Sequence, residues 1–381
     1  MPADLIISDH RARRDRLRAL LADTDRPAEA FVVSDLVNVR YLTGFTGSNG
    51  AVLVSADDPS ADRICTDGRY LTQVAEQAGD LEPVIARNCL AELAVRARDK
   101  GAATIGFEAD AVTVAEHSAL VDRLADGQRG AAPTLIARTG LVQGLREVKD
   151  DGEVELLRRA CAVGDQALAA IIDRGVIAAG ATEREVARAL EWEMYARGAD
   201  DIAFETIVAA GANSAVPHHR PTGAVLADGD FVKIDFGAVV GGYHSDMTRT
   251  YVLSRAADWQ REIYDLVATA QAAGRAALRP GADLRGIDDA ARSVIVEAGH
   301  GEHYVHGLGH GVGLQIHEAP GIGASATGTL PCGAAVTVEP GVYLPGRGGV
   351  RIEDTLVVTG PQTGGGTPEL LTAADKTFTV I

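Results

Sequence analysis

Residues 231–250 read FVKIDFGAVVGGYHSDMTRT, two apolar runs separated by Gly241-Gly242. A paired glycine is what a two-residue antiparallel hairpin demands, because its turn needs positive φ at both central positions. With that turn, Val240 pairs with Tyr243, Asp235 faces Thr248, and Asp246 lies two positions from Thr248. Side chains alternate faces along a strand, so Asp235 and Asp246 become diagonal neighbours on one face. Two carboxylates so placed raise one another's pKa, and a divalent cation removes that penalty. Taken alone, the stretch also reads as two solvent-facing acids on an exposed strand.

Two further segments extend the pattern. HYVHGLGHGVGLQIH (303–317) holds His303, His306, His310 and His317, against ten His in the whole chain of 381. His306 and His310 are four apart, but glycines at 307, 309, 311 and 313 forbid a stable helix, so the segment is extended or looped. Such a concentration points to a metal or proton-transfer site. VTVEPGVY (336–343) and GGVRIED (348–354) then place Glu339 and Glu353 among apolar neighbours. Carboxylates there are costly to bury unless paired or metal-bound, and Arg351, two residues from Glu353, offers a plain ion pair as the simpler reading.

Two Asp, two Glu and one His form an oxygen-rich set that suits hard or borderline divalent ions better than a structural zinc, which favours thiolates. Four carboxylates overcompensate one such ion, whereas two ions balance them and leave room for a bridging hydroxide. Two metals about 3.5–4 Å apart can deprotonate that water and polarise a carbonyl, which is metal-assisted hydrolysis.

The rest of the chain is consistent with a large soluble enzyme. At 381 residues, with 23% charged residues, it has room for two domains and no compositional sign of disorder. A net charge of −17 predicts no nucleic-acid or anionic-membrane partner. Cys65, Cys89, Cys161 and Cys332 are widely spaced and read as buried thiols. The opening residues lack a leader-type apolar run and no stretch is long enough to span a membrane, so a cytoplasmic location is expected.

The first 145 residues alternate strand-like runs (30–33, 51–54, 63–66, 104–107) with helical ones (11–21, 71–78, 113–124), predicting an α/β domain at residues 1–144. Gly140 to Gly144 is the expected linker. Residues 145–381 open with a long helix from Glu147 and a second, 182–197, led by the capping box Thr182-Glu-Arg-Glu185. Strands at 231–239, 243–253, 335–338 and 350–358, with helices at 258–277 and 283–298, make this an α+β domain on a mostly antiparallel sheet. The glycine run 364–366 is an expected loop.

With the motifs IDFG, HSDMTRT, GLGHGVGLQIHE, VEPGVY and GGVRIEDT in this order, the chain resembles the pita-bread dinuclear metallopeptidases, and closely their prolidase and Xaa-Pro aminopeptidase branch. DLVNVRYLTGFTGSNG (35–50) and TDGRY (66–70) resemble that branch's non-catalytic domain. The resemblance implies a curved sheet in the C-terminal domain. It implies that Asp235 holds one metal, that His310 and Glu339 hold the other, and that Asp246 and Glu353 bridge them. Glu339 would also shuttle a proton, His218 steady the scissile carbonyl, and His317 stabilise the oxyanion. His306, Arg351 and Tyr343 would line the proline side. His219 and His244 acquire no role and read as solvent-facing or structural.

The implied activity is hydrolysis, by a metal-bridging hydroxide, of the bond between an N-terminal residue and proline, as an Xaa-Pro dipeptidase or aminopeptidase. Short proline-containing peptides are the expected substrates, two divalent ions the cofactor (Mn²⁺ first, with Co²⁺, Zn²⁺ or Fe²⁺ as alternatives), and a homodimer the expected assembly. A creatinase-type C–N hydrolase and a non-catalytic binding scaffold are the competing readings. The intact ligand set speaks against both.

Overall fold

The computed structural model describes residues 9–23, 26–126, 131–360 and 366–381. Met1–Ser8, part of the segment read as lacking a leader, and Gly364 and Gly365 of the glycine run lie outside that set. The chain divides into two compact units, one reaching to Arg146 and one running from Glu147 to Ile381.

The first unit contains strands β1 (Ala30–Val33), β2 (Gly50–Ser55), β3 (Arg63–Thr66), β4 (Glu82–Ile85), β5 (Thr104–Glu108) and β6 (Thr134–Arg138). They form one mixed sheet in the order β4-β3-β2-β1-β5-β6, antiparallel between β1 and β2 and parallel between β1 and β5. Helices α1 (His10–Ala22), α2 (Leu36–Thr43), α3 (Leu71–Gln77), α4 (Cys89–Asp99), α5 (Val114–Ala125) and α6 (Leu141–Glu147) complete the α/β pattern. Three of these helices exceed the sequence reading. In α2, Asp35 accepts from the amides of Val37 and Asn38, a local cap that outweighs the helix-poor run LVNVRYLT. In α4, Leu93, Ala94 and Ala97 form a buried stripe on the sheet. The expected linker is largely helical, since α6 begins directly after Gly140. Cys332 is exposed, unlike the other three thiols.

The second unit begins with α7 (Asp151–Asp173) and α8 (Glu183–Ala196). Each starts in a capping box, Asp150 with Glu153 and Thr182 with Glu185. The strands are β7 (Asp201–Ile202), β8 (Ile207–Ala210), β9 (Phe231–Phe236), β10 (Ala238–Val240), β11 (Tyr243–His244), β12 (Met247–Val252), β13 (Gly309–Gly311), β14 (Glu318–Ile322), β15 (Ala335–Val338), β16 (Gly341–Leu344), β17 (Gly348–Arg351), β18 (Asp354–Val357) and β19 (Glu369–Leu370). All their ladder pairings are antiparallel. Helices α9 (Asp258–Ala277) and α10 (Leu284–Glu297) bury Val267, Ala270, Ile287 and Ala291 in a core shared with Val336, Val338 and Val350. This is the α+β, helices-on-sheet arrangement expected from the sequence. Among the described residues no helix is long and apolar enough to cross a membrane.

The register follows from the glycine turn. Val240 pairs with Tyr243 and Thr248 with Asp235, with Gly241 and Gly242 at φ of +58° and +86°. The expected long strands are interrupted where they leave one ladder for another, at Gly237, at Ser245–Asp246 and at Ile352–Glu353. The ligand candidates Asp246 and Glu353 lie in such breaks and Asp235 lies two residues from another, so strand ends aim them.

β13 is extended, as the alternating glycines require, and it is closely packed. A Cβ on Gly309 would stand 2.1 Å from the carbonyl oxygen of Thr337, whereas one on Gly321 would meet nothing within 4 Å. Gly309→Ala is therefore expected to cost about 1–3 kcal/mol by overpacking, and Gly321→Ala much less. Urea-unfolding midpoints of the two variants check this, and equal midpoints would contradict it.

Candidate metal centre

One cavity of about 280 Å³ is lined by Asp235, Asp246, His310, Glu339 and Glu353, together with His218 and His317. The structure thus brings seven of the ten candidate site residues to a single wall. The other three form a hydrogen-bonded chain beside it: Arg351 donates to the Tyr343 hydroxyl at 2.7 Å, and His306 Nε2 lies 2.8 Å from that hydroxyl. Asp235 and Asp246 are only 8% and 5% exposed, which removes the reading of two solvent-facing acids.

Hydrogen-bond accounting shows what the cavity lacks. His310 Nδ1 lies 3.0 Å from the carbonyl of Gly311, which can only accept, so Nδ1 carries the proton and Nε2 presents a lone pair. That lone pair faces Asp246 Oδ2 at 3.5 Å and Glu339 Oε1 at 3.4 Å. Burial holds the imidazole neutral by lowering its pKa to about 4. Three acceptors therefore converge with no proton between them at neutral pH unless a carboxyl is protonated. Asp235 Oδ1 and Glu353 Oε1 are also buried without a hydrogen-bond partner. Asp246, His310 and Glu353 offer ligand atoms all within 4.8 Å of one another. Inward lone pairs, an oriented imidazole and orphaned carboxylate oxygens fit divalent cations.

The electrostatics agree. Burial, then the neighbouring carboxylates Glu353, Asp235 and Glu339, push Asp246 well above its ordinary pKa. Glu353 is pushed up the same way, and Glu339 reaches about 7, chiefly by burial. The remaining oxygen of Glu353 accepts from Thr248 Oγ1 at 2.7 Å, which turns the orphaned one towards the cavity.

Arg351 departs from the simple expectation. The strand breaks at Ile352, between β17 and β18, and the guanidinium reaches Asp235 rather than Glu353, with Glu339 at 3.9 Å. It also donates to Thr248 Oγ1 and to the carbonyl of Pro217. His306 is neutral, lowered to about 4 by burial and by Arg351, and its Nδ1 faces the Gly307 carbonyl at 2.8 Å. Its Nε2 is accordingly the acceptor from the Tyr343 hydroxyl. His317 stacks edge-on against His310 with ring centroids 4.5 Å apart.

Several contributors escaped the sequence reading. Lys233 is wholly buried, 5.0 Å from the Tyr343 ring centroid, and donates to the carbonyls of Val216 and Pro217. Its place in an alternating strand gave no hint of this. His219, left without a role, lines the cavity and lies 2.8 Å from Glu183 Oε2. His244 is structural as expected, with Nδ1 3.1 Å from the Gly313 carbonyl. Phe204, Ile207 and Ile316 add an apolar wall.

Comparison with known proteins places the chain in a family. Residues 155–360 match metallopeptidase family M24, and residues 13–148 match the creatinase/prolidase N-terminal domain. An uncharacterised peptidase of Bacillus subtilis, YqhT, is 35% identical over 332 residues, covering 87% of this chain and 91% of that protein. The structure of an Xaa-Pro dipeptidase from Bacillus anthracis superimposes with a TM-score of 0.90 at 35% identity, covering 98% of this chain and 100% of that one. An X-Pro aminopeptidase from Thermotoga maritima gives 0.84 at 31% identity, covering 97% and 99%. With the family matched over more than half its length and this metal-suited cavity at its centre, the chain belongs to metallopeptidase family M24, in the prolidase branch of the pita-bread fold.

Proposed function

We propose that this peptidase cleaves the bond between an N-terminal residue and a following proline, using two divalent cations held by Asp235, Asp246, His310, Glu339 and Glu353. The convergence on one cavity of the His310 Nε2 lone pair, the carboxylate oxygens of Asp246 and Glu339 that face it, and the unpartnered oxygens of Asp235 and Glu353 carries the metal reading. We assign Asp235 to one ion, His310 and Glu339 to the other, and Asp246 and Glu353 to both. Manganese is the first choice among hard and borderline ions for an oxygen-rich set with one imidazole. The proline preference is supported by the dipeptidase and the aminopeptidase to which the chain is similar.

When bound, such a pair supplies an acidified water and a polarised carbonyl. The chain's own groups do the rest. Glu339, on the cavity wall, accepts a proton from the attacking water and returns it to the departing imino nitrogen. His218 and His317, on the cavity wall, contact the carbonyl oxygen as it gains charge. Arg351, steadied by Tyr343 and Thr248, holds the proline end. Phe204, Ile207 and Ile316 exclude water from the side of the N-terminal residue.

The direct test is alanyl-proline hydrolysis in metal-defined buffer. Turnover is expected with Mn²⁺ and absent after chelation, while chelator-resistant hydrolysis of creatine would favour the creatinase-type alternative. Asp246→Ala should lose both ions by elemental analysis and more than about 100-fold in turnover, since even outer-sphere changes cost 10–100-fold. Retained metal and turnover would refute its shared role.

A pH dependence follows from the raised carboxyl pKa values. Glu339, raised to about 7, keeps its proton on a sizeable fraction of molecules at neutral pH, Asp246 and Glu353 are raised in the same direction, and a cation must displace whatever protons the three carry. Metal binding is therefore expected to release protons at pH 7 and to weaken as pH falls. Calorimetry in buffers of different ionisation enthalpy measures the number released, and a value of zero would contradict the account.

A further inference from the structure

Residues 211–222, the loop that carries His218, contain one short turn of 3-10 helix at Gly211–Ala215 and no other regular structure. Ionisable side chains, Arg351 on the Pro217 carbonyl at 3.2 Å among them, tie it down on either side of His218. Ahead of it, Lys233 Nζ donates to the carbonyls of Val216 at 2.7 Å and Pro217 at 3.1 Å. Behind it, Glu183 collects the loop: Oε2 accepts from His219 Nε2 at 2.8 Å and from the amide and hydroxyl of Thr222 at 2.9 and 2.7 Å. Its other oxygen accepts from the amide of Ala210 and the side chain of Asn213, both at 2.9 Å.

Glu183 is the first residue of α8 and is completely buried. Capping of that helix is done by Thr182 and Glu185, so the Glu183 carboxylate is not needed there. Burial raises its pKa, but the bonds from Ala210, Asn213, His219 and Thr222 outweigh burial and keep it ionised. The helix N-terminus favours the same state. His218 has no hydrogen-bond partner among the described residues, so its ring goes where these clamps put its backbone.

We propose that Glu183 and His219 form a positioning pair that sets His218 in the cavity, and thereby controls turnover without touching the metal-ligand side chains. The proposal rests on the substrate role assigned to His218 above. His219 also lines the cavity, so the test must separate holding the loop from acting on the substrate.

The full-length, Mn²⁺-loaded protein and its variants His219→Ala, His219→Gln and Glu183→Gln are compared for metal content, kcat and KM on alanyl-proline. The ring resonances of ¹⁵N-labelled histidine are recorded in parallel on the same proteins loaded with diamagnetic Zn²⁺, because Mn²⁺ would broaden signals this close to it. A glutamine amide can donate to Glu183 from roughly the place of Nε2, and displacement by about 1 Å is enough to cost up to 100-fold in rate. His219→Ala is expected to lower kcat at least about tenfold with two ions retained and to shift or broaden the His218 ring signals. His219→Gln should restore both, and Glu183→Gln should reproduce the loss, with the double variant Glu183→Gln/His219→Ala no worse than the poorer single.

Turnover of His219→Ala within twofold of wild type overturns the pair. So does His219→Gln as impaired as His219→Ala, which would mean that the ring itself acts on substrate. If Glu183→Gln does not fold, the two His219 variants still decide. If the wild type spares alanyl-proline yet the His218 signals respond as expected, the proline reading fails and the positioning pair stands; unresponsive signals sink the pair alone.

Discussion

Four carboxylates and a neutral imidazole share one small buried space, and the rest of the catalytic unit is arranged around the repulsion this creates. Each carboxylate is costly there: burial raises the pKa of Asp246, Glu339 and Glu353 well before their mutual repulsion is added. A flexible scaffold would relieve the strain by letting the side chains turn outward. Here they cannot do so cheaply, because Asp235 is on a paired strand, Asp246 and Glu353 are fixed in tight breaks between strands, and Gly311 orients His310 from behind. The stored repulsion makes the cavity a receptor for positive charge. The same preorganisation disfavours the binding-scaffold reading, for which such a cluster would be a cost without a return.

Much of this was legible in the sequence because it is local. A two-residue glycine turn defines a register, a register defines faces, and Asp235 and Asp246 follow. Glycines alternating through 307–313 rule out a helix, and Glu339 and Glu353 stand out as acids among apolar neighbours. The illegible part depends on partners distant in the chain. Lys233 occupies a strand position that an exposed lysine could fill equally well, and only the fold reveals the two carbonyls it clamps. Glu183 sits in a helix-start motif whose capping members explain the local pattern completely, so nothing nearby marks it as the residue that gathers a loop some 30 positions later. Arg351 shows the opposite error: two residues from Glu353 suggests a pair, but the strand breaks after Arg351 and its guanidinium reaches Asp235 instead.

The N-terminal unit was read through its stronger strands and helices and missed where caps, not periodicity, make the helix. Asp35 nucleates α2 in a run that contains Asn, Val and Thr, residues with modest helix preference. Short elements whose existence depends on one side chain accepting two amides are invisible to window averages.

The Gly241-Gly242 turn has one further consequence. Because it joins two arms of chain that bear one metal-seeking acid each, the number of residues between Asp235 and Asp246 is itself a chemical quantity. A single residue inserted or deleted between the turn and Asp246, with the turn's own pairing kept, would reverse the parity of the second arm and turn Asp246 to the opposite face, with every ligand residue still present. Substitutions can erode such a site gradually, but a one-residue change of length removes it at a stroke. For anyone grafting this hairpin onto another sheet, the spacing is the part that must be carried over intact.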